Sequence, residues 1–147
     1  MASRRKARKA IEEKNSSIAV ETKLRVDEAT SHLKNGNCNK AISLYNQALE
    51  LSPNDRNALI SRSRCYLLLG DAQKALEDAE SALEGKLKES NTARAIYYKA
   101  EALYHLGDYE MSLVYYYRGM RIRPEFGQFR LGIQKAKDAI QNILRSK

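Results

Sequence analysis

Between residues 127 and 147 the apolar positions Phe129, Ile133, Ala136, Ile140 and Ile143 recur at steps of four and three, the spacing of one stripe along an amphipathic helix. Arg130, Lys135, Lys137 and Asp138 fall on the other face. The preceding stretch is patterned as a repeat. Gly36, Gly70 and Gly107 each stand between two helical patterns, 34 and then 37 residues apart. Seven residues before each glycine is a small residue (Ala29, Ser63, Ala100), and five after it is another (Ala41, Ala75, Ser112). Twelve after come Ala48, Ala82 and Gly119, each followed by a long apolar residue: Leu49, Leu83, Met120. Pro53 and Pro124 stand seventeen residues after the first and third glycines. The second copy has Leu87 there and about three extra residues before the third begins. The copies cover about 22–55, 56–89 and 93–126.

This register has a physical reason. Small residues let two helix backbones approach, and larger apolar neighbours fill the grooves around them. A glycine closes the first helix of each pair because it tolerates the left-handed conformation at a C-cap. The proline stops the second helix, and Asp71 and Asp108 are placed to cap the helices that follow their glycines. One such hairpin cannot bury its own apolar face and must stack on another.

Small positions, turn glycine and terminal proline at a 34-residue period resemble the tetratricopeptide repeat, over roughly residues 22–126. The chain departs from that pattern at two places. Glu28, Arg62 and Lys99 stand where the family often has a leucine, and Arg25, Leu59 and Ile96 where it often has an early tryptophan. The expected fold is all-α: three helical hairpins in a solenoid (21–126), a C-terminal capping helix (127–147) and a basic N-terminal extension (1–20). The extension has no clean apolar stripe before Ile18 and reads as a flexible or loosely helical tail. The first copy is the weakest match, so its first helix is expected to fray or to run into that tail.

The formal net charge of +8 is unevenly spread. Residues 1–20 hold six basic and two acidic side chains, 21–89 hold ten and eleven, and 90–147 hold ten and five. No apolar run approaches the ~20 residues of a membrane helix. The opening MASRRKARKA has no apolar segment behind it, as a secretory signal requires. Two cysteines, Cys38 and Cys65, are too few for a disulfide scaffold and suit a reducing, cytoplasmic compartment. They form no CxxC pair and read as free buried thiols, while His32 and His105 lack companions at metal-ligand spacing. The turn glycines are isolated, unlike those of a phosphate loop. No catalytic constellation, metal site or cofactor is expected.

In a helical-hairpin solenoid the first helix of each pair lines the concave face. The register puts Lys23, Val26 and Thr30 there from the first copy, and Asn57, Ile60, Arg64, Leu67 and Leu68 from the second. The third offers Arg94, Tyr97, Tyr98, Glu101, Tyr104 and His105. Aromatic and arginine side chains are common binding anchors. Arg64, Leu68, Arg94, Tyr97, Tyr98, Tyr104 and His105 are therefore the candidate partner groove, with Tyr97 and Tyr104 equally suited to packing between hairpins. Family members that clamp acidic chaperone tails grip a terminal carboxylate with Lys, Asn and Arg. Here the matching positions are Val26, Thr30, Ser61, Arg94 and Tyr98, of which only Arg94 has suitable chemistry.

The strings SRSRCYLLLGDAQKALEDAE (61–80), KAEALYHLGDYEMSLVYYYRGMRIRPEF (99–126) and QFRLGIQKAKDAI (128–140) carry a narrower resemblance. They are similar to the repeats of the outer dynein arm docking complex subunit 4 family. That resemblance implies a role on the ciliary or flagellar axoneme, holding outer dynein arms on doublet microtubules through coiled-coil and armadillo-repeat docking subunits. Members of that family continue past the cap with further helical repeats, so this chain is expected to be a shortened relative or a fragment. Arg118, Arg121, Arg123 and Arg130 near the end of the third repeat, and Arg4, Arg5, Lys6, Arg8 and Lys9 in the tail, form basic patches suited to an acidic microtubule surface. They are equally suited to simple solvation. A cytosolic peptide-binding or co-chaperone-like adaptor is the alternative. Nucleic-acid binding draws only on charge and lacks base-reading modules.

Overall fold

A computed structural model describes residues 2–146. Among them are seven α-helices and no strand: α1 (Ala2–Lys34), α2 (Cys38–Leu51), α3 (Arg56–Leu68), α4 (Ala72–Leu83), α5 (Glu89–His105), α6 (Tyr109–Ile122) and α7 (Gly127–Arg145). Successive helices pack as antiparallel hairpins, α1 with α2, α3 with α4 and α5 with α6, and α7 closes the stack against α6 and α5. The first helices also touch one another: α3 meets both α1 and α5.

The three turns share one construction. Gly36, Gly70 and Gly107 have φ of 82°, 83° and 86°, a region that a side chain rarely adopts. In each, the residue after the glycine donates its N–H back across the turn: Asn37 to His32 O (2.8 Å), Asp71 to Tyr66 O (2.8 Å) and Asp108 to Leu103 O (2.9 Å). Asp71 and Asp108 then accept from Lys74 N and Met111 N, capping α4 and α6 as their positions predict. Asp55 caps α3 in the same way by accepting from Ala58 N.

The small positions are where helix backbones meet. Ala29, Ala41, Ser63, Ala75, Ala100 and Ser112 are all fully buried. Ser63 Oγ donates to Ala75 O at 2.7 Å, and Ser112 Oγ donates to Ala100 O at 2.8 Å. The serine has changed helix between the two hairpins, yet the bond crosses the same seam. The cap adds a reciprocal fit: a Cβ at Gly119 would run into the Phe129 ring, and one at Gly132 into the Tyr116 ring. Buried Tyr116 and Phe129 each contribute roughly 2–3 kcal/mol through removal of apolar surface from water.

The core follows the stack. One cluster joins α1, α2 and α3, a second joins α3, α4 and α5, and a third joins α5, α6 and α7. α1 takes one of the two forms expected of it: the first helix runs on into the basic extension as a single helix of 33 residues with no break at residue 20, rather than fraying or leaving a flexible tail. Its first twenty described positions carry one half-buried side chain, Ile18, before Thr22 is buried. Thr22 is tied to Ser52 by a 3.0 Å hydroxyl pair, which marks where the hairpin contact with α2 begins.

Candidate functional site

The inner face is shaped by one repeated pair of positions, six residues before each turn glycine and nine after it: Thr30 with Tyr45, Arg64 with Ala79, and Glu101 with Tyr116. In the first hairpin the Thr30 and Tyr45 hydroxyls lie 2.9 Å apart. In the third, the Tyr116 hydroxyl donates to Glu101 Oε1, and Lys135 Nζ of α7 donates to the same oxygen at 2.7 Å. Burial, and then the Glu101 carboxylate, push the Tyr116 phenol well above its ordinary pKa. In the second hairpin Ala79 has no group to offer. Arg64 is exposed and joins none of the ion pairs among the described residues.

Arg64 opens into a cleft of about 400 Å³ that it lines with Leu67, Leu68, Tyr97, Tyr98 and Glu101. Leu68 is 60% exposed there, an apolar side chain on the rim beside an unpaired cation. Four of the seven candidate groove residues, Arg64, Leu68, Tyr97 and Tyr98, therefore share one cleft. Tyr97 is only partly available to a partner. Its ring packs 5.7 Å from Phe129 and 6.0 Å from Phe126, and burial lifts its phenol to about 12.

The other three candidates lie elsewhere. Arg94 lines a smaller pocket of about 250 Å³ with Ser90, Arg123 and Phe126. Tyr104 turns toward the cap, its ring 4.6 Å below Lys135 Nζ and 5.2 Å from Tyr109. His105 sits at the α5–α6 turn, in a cleft shared with Leu67, Gly70 and Leu106. Ile60, expected on the inner face, is fully buried. Side chains on one helix face diverge once the next hairpin covers part of it, and linear spacing cannot show which part.

The basic residues form two separate regions. Arg4, Arg5, Lys6, Arg8 and Lys9 are exposed on α1, which packs only on α2 and α3. Arg118, Arg121, Arg123 and Arg130 belong to the far end, where α6 meets α7. Arg118 lies 4.8 Å from the Tyr115 ring. Arg123 Nε donates to Glu125 Oε1 at 2.6 Å, and Arg130 Nη2 reaches Pro124 O at 3.4 Å. Arg121 is exposed.

Two polar ties that position the site carry no signal in composition. Arg62 joins three helices through Asp78 and Asn46, and Lys135 fixes the cap to α5. Arg62 leaves a trace in the sequence, as a cation where the repeat often has a leucine, whereas Lys135 leaves none, since its spacing puts it with the polar face of α7. Cys38 and Cys65 are free and buried in one cluster, and burial followed by the neighbouring Cys38 raises the Cys65 thiol to about 11. Among the described residues no group of three or more His, Cys, Asp or Glu is placed to hold a metal ion, and no helix is long and apolar enough to cross a membrane.

Models of the tetratricopeptide repeat match residues 26–91 and 93–126. The chain belongs to the tetratricopeptide repeat family. Over 103 residues, 70% of this chain, it is 50% identical to the outer dynein arm-docking complex subunit 4 of Xenopus laevis, and it covers 19% of that protein. The human protein of the same name is 42% identical over 111 residues, 76% of this chain and 16% of its own length. The chain thus spans under a fifth of these relatives. A solved structure of the first TPR of Spaghetti (RPAP3), bound to an HSP90 peptide, superposes with a TM-score of 0.76 at 19% identity, covering 82% of this chain and 94% of that one. At that identity the likeness concerns the fold. A stack of tetratricopeptide hairpins is a protein-interaction scaffold.

Proposed function

We propose that this tetratricopeptide repeat protein is a non-enzymatic adaptor of the outer dynein arm docking complex, acting on the axoneme of cilia or flagella. Its partners in this reading are the coiled-coil and armadillo-repeat docking subunits and the doublet microtubule, and its task is to help anchor outer dynein arms. The 50% identity to a docking complex subunit carries the reading. The inner cleft supplies a means. Leu68 and Tyr98 form an apolar seat with the Arg64 cation in the same cleft, and Arg94 supplies a second cation from its own pocket, for an acidic partner segment. The exposed arginines near the cap and the basic stretch of α1 suit the acidic doublet surface, where they would speed encounter in a salt-sensitive way.

The test is binding kinetics with purified docking subunits. Tyr98→Ala should cost ~2 kcal/mol or more of affinity, mostly as faster dissociation. Arg94→Glu should slow association, and less so at high salt. Unchanged kinetics in both folded variants would remove the cleft and the Arg94 pocket from the reading. The chaperone-tail alternative finds little support at its five positions. The Thr30 hydroxyl is held by Val26 O and Tyr45, and Ser61 is buried. Saturable binding of an acidic chaperone tail peptide at low concentration would favour that alternative instead.

A further inference from the structure

The two ends of the stack are finished differently. At the far end α7 covers the third hairpin. At the near end the face that a preceding hairpin would cover is open, and the repeat register identifies it. Ala58 and Cys65 of α3 are fully buried in the cluster they share with the first hairpin. Ala95, the counterpart of Ala58 in α5, is fully buried in the cluster formed with the second hairpin. The same positions in α1 are Leu24 and Ser31, and both are exposed, Leu24 by 63%. Val20, one turn earlier on the same face, is 58% exposed.

Helical spacing continues this face in both directions, through Asp27 toward the C-terminus of α1 and through Glu13, Lys9 and Lys6 toward its N-terminus. Apart from Glu13, the charges of this face are sorted. Basic side chains crowd residues 4–9, whereas Asp27 and Glu28 lie near the other end of the open face. The one ion pair within α1 is Arg25–Glu21 at 3.9 Å, and Lys6, Lys9, Asp27 and Glu28 join none among the described residues. A helix with cations at one end and anions at the other is complementary to itself when turned around.

We propose that a second copy of this chain covers the open face, as a symmetric dimer in which two α1 helices run antiparallel. A two-fold axis near residues 16–17 sets Lys6 against Asp27 and Glu28 of the second copy, and the Lys9 stem over its Leu24. Each projecting half of α1 then caps the other copy's first hairpin. The 33 residues of α1 span about 50 Å, enough for both contacts at once. The few apolar residues in the seam make a dimer that depends on charge and weakens with salt.

Sedimentation velocity of the full chain tests this. At low salt the mass should move toward twice 16.7 kDa as concentration rises, and return toward 16.7 kDa at high salt. Lys6→Glu with Lys9→Glu, and separately Asp27→Lys with Glu28→Lys, should each raise the dimer dissociation constant at least tenfold. All four positions are exposed, so both variants should keep the wild-type circular dichroism and melting temperature. Mixing the two variants restores opposite charges at both contacts, and a heterodimer should form. A wild-type chain that is monomeric at every concentration tested, a dimer indifferent to the reversals, or a mixture that stays monomeric would each overturn the proposal.

Discussion

Arg62 stands where the repeat family often has a leucine, yet its guanidinium donates to both carboxylate oxygens of Asp78, at 2.8 and 2.7 Å, and to Asn46 Oδ1 at 2.7 Å. The Asp78 side chain is only 8% exposed, and that fork is what pairs it. The equivalent pairs are Glu28 with Leu44 and Lys99 with Tyr115, sixteen residues apart in every copy. Lys99 Nζ sits 4.2 Å from the Tyr115 ring centroid, a cation over an aromatic face. One position thus serves an ion pair in the second copy and a cation over an aromatic ring in the third, each with its partner on the facing helix. Arg62→Met should destabilise the protein by about 2–3 kcal/mol, since it strands a buried carboxylate. Thermal unfolding checks this, and Arg62→Met combined with Asp78→Leu should regain most of the loss. Equal instability of the single and double variants would show that Arg62 acts through packing alone.

Among the elements, the closest constraint lies between the two helices of a hairpin. Ala75 is fully buried and its carbonyl accepts the Ser63 hydroxyl, which leaves no room for a longer side chain on that seam. Ala75→Leu should overpack it and cost about 1–3 kcal/mol, read as a lower midpoint in urea. A midpoint equal to wild type would mean that α3 and α4 part more readily than this contact implies. α1 teaches a different lesson about helices. Its first half has little to pack against, and its regularity rests on good helix formers such as Ala, Arg, Lys and Glu and on continuity with the anchored second half. Amphipathic pattern left open whether the first helix would fray or run into the extension, because a helix exposed on all sides leaves no stripe.

At the scale of the whole molecule each hairpin is stabilised mainly by its neighbours, so the ends matter most. Removing residues 127–147 would uncover Tyr116 and Tyr97, delete Phe129 and Ile133 from the third cluster, and strip Lys135 from Glu101. The truncated chain should associate or precipitate at concentrations where the full chain stays dispersed, which light scattering will show. A truncated chain with the full chain's melting temperature and no added scattering would show that α7 is not a cap.

What the sequence determined by itself is the local order. A turn glycine at positive φ, small residues on facing helices and, after Gly70 and Gly107, a capping aspartate answer to short-range sterics and hydrogen bonding. Those leave a signature at fixed spacing, and so the three hairpins and the cap could be read from Gly36, Gly70, Gly107 and the stripe from Phe129. The site was legible only in part. Which inner-face residues share a cleft depends on how each hairpin covers the next. The seven candidates therefore separated into the Arg64–Leu68–Tyr97–Tyr98 cleft, the Arg94 pocket, and the surroundings of Tyr104 and His105. Only the tertiary structure could decide that Glu101 is occupied by Tyr116 and Lys135 while Arg64 stays free of ion pairs among the described residues. Those partners lie 15 and 34 residues away from Glu101, and contact at that distance is set by packing, to which helical periodicity is blind.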